Sequence, residues 1–266
     1  MKEFSAPAGL PVGTVRGRPA VGADVLVEEW GTRRIGALAA VVASPIRLPT
    51  RRIQYWMLNG VVRACDAGRA DPRLRYELTY MADRPIGWER PKSAGHAHGR
   101  PSPGEIGFAE ICEVLEGTAG FMIQDLRPGP SATFTALVTV RAGERVVLPP
   151  LLHHATFHLA GAPLVFSDVI SRRITTDYSM LSAALGTAYL IDTSGTPCPN
   201  PAYARVPPLL RFSAEEWSGP ANRPLYSSFV EDPASLTWLD VPGDFPARFP
   251  RLWERLEPVL DALDRA

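Results

Sequence analysis

Residues 95–117 read GHAHGRPSPGEIGFAEICEVLEG, and the rest of the chain is best understood outward from them. His96 and His98 are two positions apart, so on a strand both imidazoles face the same side. Glu110 opens an apolar run that Gly117 closes. The chain has five histidines, and the other three, His153, His154 and His158, also sit together. Three neutral imidazoles and one carboxylate form a nitrogen/oxygen donor set for one divalent transition metal per chain (Fe, Mn, Ni or Zn). Packing alone gives no reason for this clustering.

The flanking texture is that of an all-β protein. Short β-branched and aromatic runs recur: Arg75–Met81, Glu110–Leu115, Gly120–Asp125, Phe134–Arg141, Arg145–Leu148, Thr156–Leu159 and Leu164–Ile170. From Phe134 onward Phe134, Ala136, Val138 and Val140 alternate with Thr135, Leu137 and Thr139, a period of two. Gly and Pro separate the runs, and the 27 prolines interrupt helices and favour stiff turns. Such spacing fits a sandwich or barrel rather than alternating βα units.

Composition narrows the function. At 266 residues, 45% hydrophobic and 21% charged, the chain can bury a core. Lys+Arg 28 balance Asp+Glu 28, so the basic excess of a nucleic-acid binder is missing. Cys65, Cys112 and Cys198 are scattered and form no CxxC pair, unlike a disulfide scaffold or a cysteine zinc site. The longest apolar stretch, residues 35–46, is too short for a membrane span and contains a proline. The N-terminal residues have no signal-peptide core. The expectation is a soluble cytoplasmic protein with a small-molecule substrate and neither nucleic-acid nor membrane partners.

Three segments are expected: an N-terminal arm over 1–45, a barrel over 46–208 and a helical extension over 209–266 packed on the barrel. The arm is rich in Gly and Pro, with one strand-like run, Ala23–Glu28. In the extension, Ser213-Ala-Glu-Glu216 reads as a capping box. Leu252, Trp253, Leu256, Val259, Leu260 and Leu263 form a helical stripe, with Pro258 predicting a kink or a late helix start.

In chain order stand His96-x-His98, Glu110-x6-Gly117, Gly143-x5-Pro149 and His154. This resembles the two motifs of the cupin superfamily, a double-stranded β-helix or jelly-roll barrel. The resemblance implies that His96, His98, Glu110 and His154 are the metal ligands. Eleven residues (99–109) separate His98 from Glu110, more than is usual, and Glu105 in the intervening loop is the competing carboxylate. Glu110 is favoured because it begins the alternating run.

From roughly Arg51 to Pro208 the chain resembles the cupin-type glucose-6-phosphate isomerases and their bacterial relatives. The likeness is carried by Arg52-Ile-Gln-Tyr-Trp-Met57, Ala94-Gly-His-Ala-His98, Val147-Leu-Pro-Pro150, Pro163-Leu-Val-Phe166, Asp177-Tyr-Ser179 and Asn200-Pro-Ala-Tyr203. It implies an aldose–ketose isomerase acting on a sugar phosphate, with Thr79, Ser93 and Gly95 at the phosphate. Tyr178 stands near the substrate, and Glu110 is either the base or a ligand only. A homodimer is implied by the same likeness.

Departures from the family pattern are Cys112 where a Tyr is usual, Ile170 and Thr176 where a Tyr and a His occur, and His158 in place of an Asn. On strand alternation Cys112 points into the barrel. His158 either lines the pocket or packs on the barrel wall, and His153 is expected at the surface or in a loop. Together the changes predict a less polar pocket. They keep open an iron cupin oxygenase, decarboxylase or cyclase on a less polar metabolite. A non-catalytic small-ligand-binding cupin is the third reading.

Overall fold

Two strands of unusual length organise the molecule, and both owe their shape to glycine. The computed structural model describes residues 2–4, 8–43 and 48–264. In chain order, β1 (Lys2–Glu3), β2 (Val12–Val15) and β3 (Arg18–Val21) form a small antiparallel sheet. β4 (Val25–Arg34), β5 (Ile53–Arg63) and β6 (Leu74–Met81) follow, then the short β7 (Ala97–His98). Next come β8 (Glu110–Gln124), β9 (Thr135–Arg141), β10 (Arg145–Leu148) and β11 (His153–Ser171). β12 (Thr176–Asp177) pairs with β7, and β13 (Tyr189–Ile191) pairs with β14 (Pro197–Pro199). The last strand is β15 (Leu210–Ser213).

The large sheet has the order β15-β9-β8-β11-β6-β5-β4, with β10 beside β8. β8 and β11 lie antiparallel along their lengths of 15 and 19 residues. Residues 110–113 of β8 pair with β10 and residues 118–124 with β9, so the strand serves two halves of the barrel. The change falls at Gly117, whose φ of 82° suits glycine. A Cβ there would stand 3.0 Å from the Ala160 carbonyl oxygen and 3.1 Å from that of Pro163. Opposite it the β11 register breaks between His158 and Phe166. The result is the jelly-roll barrel expected from the sequence. The separate runs expected at Glu110–Leu115 and Gly120–Asp125 are one bent strand, as are those at Thr156–Leu159 and Leu164–Ile170.

The barrel core includes Leu78, Val114, Phe121, Val138, Val146 and Phe166, all buried, with Phe121 and Phe166 meeting edge to face at 5.9 Å. Burying each such side chain contributes about 1.5–3 kcal/mol. The strand expected at Ala23–Glu28 is β4, and it pairs with β5 in the large sheet. The sheet therefore starts within the expected arm, because β4 covers the free edge of β5. The boundary itself, at residues 45 and 46, lies outside the described residues, as do Arg265 and Ala266.

At the C-terminal side, Leu210–Ser213 runs parallel to β9 instead of joining a helix. The capping box forms as expected, with the Ser213 side chain accepting from the Glu216 N–H and Glu216 accepting from the Ser213 N–H. The final helix, Pro250–Asp264, runs through Pro258, and Leu252, Leu256 and Leu260 pack into the main core. Among the described residues no helix is long and apolar enough to cross a membrane.

Candidate metal centre

β7 with the residue before it, β8 and β11 bring four side chains to one point. His96 is fixed by two backbone hydrogen bonds to His154, N–H to carbonyl in both directions, at 2.9 and 2.8 Å. Gly95 allows this approach: its φ is 71°, and a Cβ would lie 2.9 Å from the His154 carbonyl oxygen and from the Ala155 Cβ. His98 follows on the same face, and Glu110 begins β8.

The Nε2 atoms of His96 and His98 are 2.9 Å apart, and those of His96 and His154 are 3.1 Å apart. Glu110 Oε2 lies 3.3 Å from His98 Nε2 and 3.7 Å from His154 Nε2. All four donor atoms fall within 4.8 Å of one another. Donors bound about 2.0–2.2 Å from a shared centre stand roughly 3.0–3.5 Å apart, so the set fits a metal ion. Three Nε2 atoms facing one another cannot all be satisfied by shared protons, since each neutral nitrogen either donates or accepts. A cation satisfies them all. Glu105 is exposed on its loop and outside the cluster.

Electrostatics favour the ligating forms of the histidines. Burial, then the neighbouring imidazoles, push His96, His98 and His154 well below the usual histidine range, which keeps them neutral. Burial raises Glu110 to about 7, against the Cys112 thiol, which donates to Oε1 at 2.9 Å. His153 points away from the centre, as alternation requires. It is buried rather than at the surface, and burial lowers it to about 4.

The centre opens onto a cavity of about 330 Å³. Thr79, Ser93, Gly95, Ile170, Thr176 and Tyr178 line it. The Ser93 Oγ accepts from the Thr156 N–H at 2.9 Å. Tyr178 is 39% exposed, with Arg33 Nη2 3.4 Å from its hydroxyl. Two expected pocket residues are elsewhere. Cys112 is fully buried behind Glu110, and His158 packs at the β11 bend, its Nε2 against the Gly161 carbonyl. His158 lies two residues beyond Thr156 on the same face, too far along β11 to reach the cavity.

Sequence reasoning missed Arg33, Tyr55, Asn59, Arg75, Glu77 and Asp168, all of which line the cavity. The signal was parity: if Thr79 faces inward, so do Glu77 and Arg75 on the same strand. Likewise Asp168 shares a face with Ile170. The cavity is thus not the less polar one expected from Cys112, Ile170 and Thr176. Burial, then Glu77 and Glu110, raise Asp168 well above the usual carboxyl range, and burial also raises Glu77.

No curated protein matches the chain. Among solved structures, an oxalate oxidase aligns at 18% identity and TM-score 0.28, covering 41% of this chain and 44% of its own. Lactobacillus farciminis oxalate decarboxylase in complex with formate aligns at 15% and TM-score 0.33, covering 47% and 30%. The matched part is less than half the length of either relative. The pattern of the family described as glucose-6-phosphate isomerase (GPI) matches residues 33–206, spanning β5 to β14 and every ligand of the centre. The chain belongs to the cupin-type glucose-6-phosphate isomerase family.

Proposed function

We propose that the protein is a metal-dependent aldose–ketose isomerase acting on a sugar phosphate of the glucose 6-phosphate/fructose 6-phosphate type. The observation that carries this reading is a three-histidine, one-carboxylate centre facing a polar cavity that Thr79, Ser93 and Gly95 also line. His96, His98, Glu110 and His154 would hold the ion. When bound, a divalent cation supplies polarisation of the sugar carbonyl and stabilises charge on its oxygen.

The chain's own groups do the rest. Ser93 Oγ takes the Thr156 N–H, so its own hydroxyl proton is free to donate to a phosphate oxygen. Gly95 lines the same wall, at the point where the His96 backbone is bonded to His154. Tyr178 lines the cavity beside the His96 ring, at 5.6 Å. Glu110 turns Oε2 to the histidines and Oε1 to the Cys112 S–H. Both oxygens are engaged, which favours transfer of hydrogen directly between C1 and C2 over abstraction by Glu110. The less polar substrate of the oxygenase, decarboxylase or cyclase reading loses support, because Arg33, Asn59, Arg75, Glu77 and Asp168 face the cavity.

The test is turnover of fructose 6-phosphate by protein loaded separately with Fe, Mn, Ni and Zn. Turnover that disappears in His154→Ala is the expected result. Absence of turnover with every metal, at one metal per chain, would overturn the reading.

A further inference from the structure

One cross-strand row of the sheet is polar from β4 to β8. The register places Glu29 of β4 opposite Asn59 of β5, Asn59 opposite Glu77 of β6, Glu77 opposite Asp168 of β11, and Asp168 opposite Cys112 of β8. Residues directly opposite in a sheet share a face; Asn59, Glu77 and Asp168 line the cavity, and Cys112 stands behind Glu110 of the metal centre.

Most of its members have partners. Asn59 Nδ2 donates to Glu29 at 3.2 Å. Glu77 forms an ion pair with Arg75 through Nε. The Cys112 thiol donates to Glu110. Asp168 is different: it is only 6% exposed, lines the cavity, and makes no hydrogen bond or ion pair to any described residue. A buried carboxyl that the described residues leave without a donor is open to one from a ligand in the cavity.

We propose that Asp168, backed by Glu77, is the subsite that accepts the hydroxyl hydrogens of a polyhydroxylated ligand. The required ligand group is a hydrogen-bond donor. An anion gains no positive charge from these two carboxyls. An ammonium is disfavoured by Arg75 and by the cation that the centre is built to hold. Chains of hydroxyl groups remain. Asp168 is adjacent to Cys112, whose sulfur touches Glu110, so the hydroxyls it holds lie next to the metal-bound end of the ligand. The phosphate is then kept at the far side, toward Thr79 and Ser93. This deepens the isomerase reading by assigning its sugar-recognising group, and rests on that reading for the metal but not for the reaction.

Binding of sorbitol, and separately of inorganic phosphate, to the metal-loaded full-length protein tests it by calorimetry. In Asp168→Ala, sorbitol affinity should fall at least about tenfold, while phosphate affinity stays within about twofold and the melting temperature does not drop. Asp168→Asn, which keeps the shape and one acceptor, should lose less and serves as the measurement if the alanine variant does not fold. Sorbitol affinity equal in wild type and variants, or no sorbitol binding by the wild type, would overturn the proposal. So would parallel loss of sorbitol, phosphate and thermal stability, the signature of a structural role. Asp168-dependent sorbitol binding in a protein without isomerase turnover supports the subsite and sinks only the isomerase reading.

Discussion

β8 and β11 carry buried carboxyls on both faces, and the two faces treat them differently. Away from the cavity, Glu113 accepts from Arg145 Nε at 3.3 Å and from the Leu225 N–H at 2.8 Å. Nearby, Asp240 takes the Ser171 hydroxyl at 2.5 Å and Arg173 Nε at 2.9 Å. Those pairs tie the C-terminal segment to the barrel. On the cavity face, Asp168 has no hydrogen-bond partner among the described residues, and Glu110 meets the Cys112 thiol and the histidine nitrogens. Burial raises Glu113 to about 7, with Arg145 and the Leu225 amide restraining the rise. Burial, then Glu77 and Glu110, raise Asp168 well above the usual carboxyl range, against Arg75. Carboxyls matched by the protein hold the fold, whereas those left unmatched face the place where metal and ligand belong.

The largest effect expected is on the cavity face. His154→Ala should lower metal affinity by more than about 100-fold, beyond the 10–100-fold typical of an outer-shell change, as measured by metal content after dialysis. Retention of stoichiometric metal would break the comparison. On the other face, Glu113→Ala strands the largely buried Arg145 and the Leu225 amide. Denaturant unfolding should show a loss of about 3 kcal/mol, and a loss under about 1 kcal/mol would make Glu113 no different from an unmatched group.

Gly117→Ala tests the bend that sets both faces. Its positive φ and the carbonyl oxygens 3.0 and 3.1 Å from a Cβ should cost about 1–3 kcal/mol in the same experiment. Asp168→Asn sharpens the contrast by sign: removing one of two facing carboxyls should leave stability unchanged or raise it by about 1 kcal/mol. A fall would place Asp168 with the structural carboxyls.

The pH dependence has a definite sign. Folded Glu113 holds its proton to about 7, above the ordinary glutamate value of 4.5, so between these the folded state binds more protons than the unfolded one. Stability falls as pH rises through that window and levels off above it. Glu113→Gln should flatten this slope, measured as melting temperature from pH 4.5 to 7.5. An unchanged slope would locate the titration elsewhere.

Much of this was legible in the chain. Period-two runs and the Gly/Pro punctuation give an all-β sandwich or barrel, and the resemblance to the cupin motifs implies the jelly roll and the set His96, His98, Glu110 and His154. What stayed hidden depended on non-local pairing. That Leu210–Ser213 would pair with β9, and that two pairs of short runs would fuse across Gly117 and the β11 bulge, is decided by register rather than local composition. The polar row could be anticipated only in part. Strand parity turns Glu77 inward with Thr79, but that Glu77 faces Asp168, and Asp168 faces Cys112, follows from the alignment of three strands. His158 failed for a similar reason: its face was right, but its height on β11 was not.

The most direct measurement is anomalous diffraction from crystals of the metal-loaded protein. The expected result is one peak per chain within about 2.3 Å of the Nε2 atoms of His96, His98 and His154 and of a Glu110 carboxylate oxygen. A fully loaded protein with no peak there, or with a peak ligated without Glu110, would contradict the account.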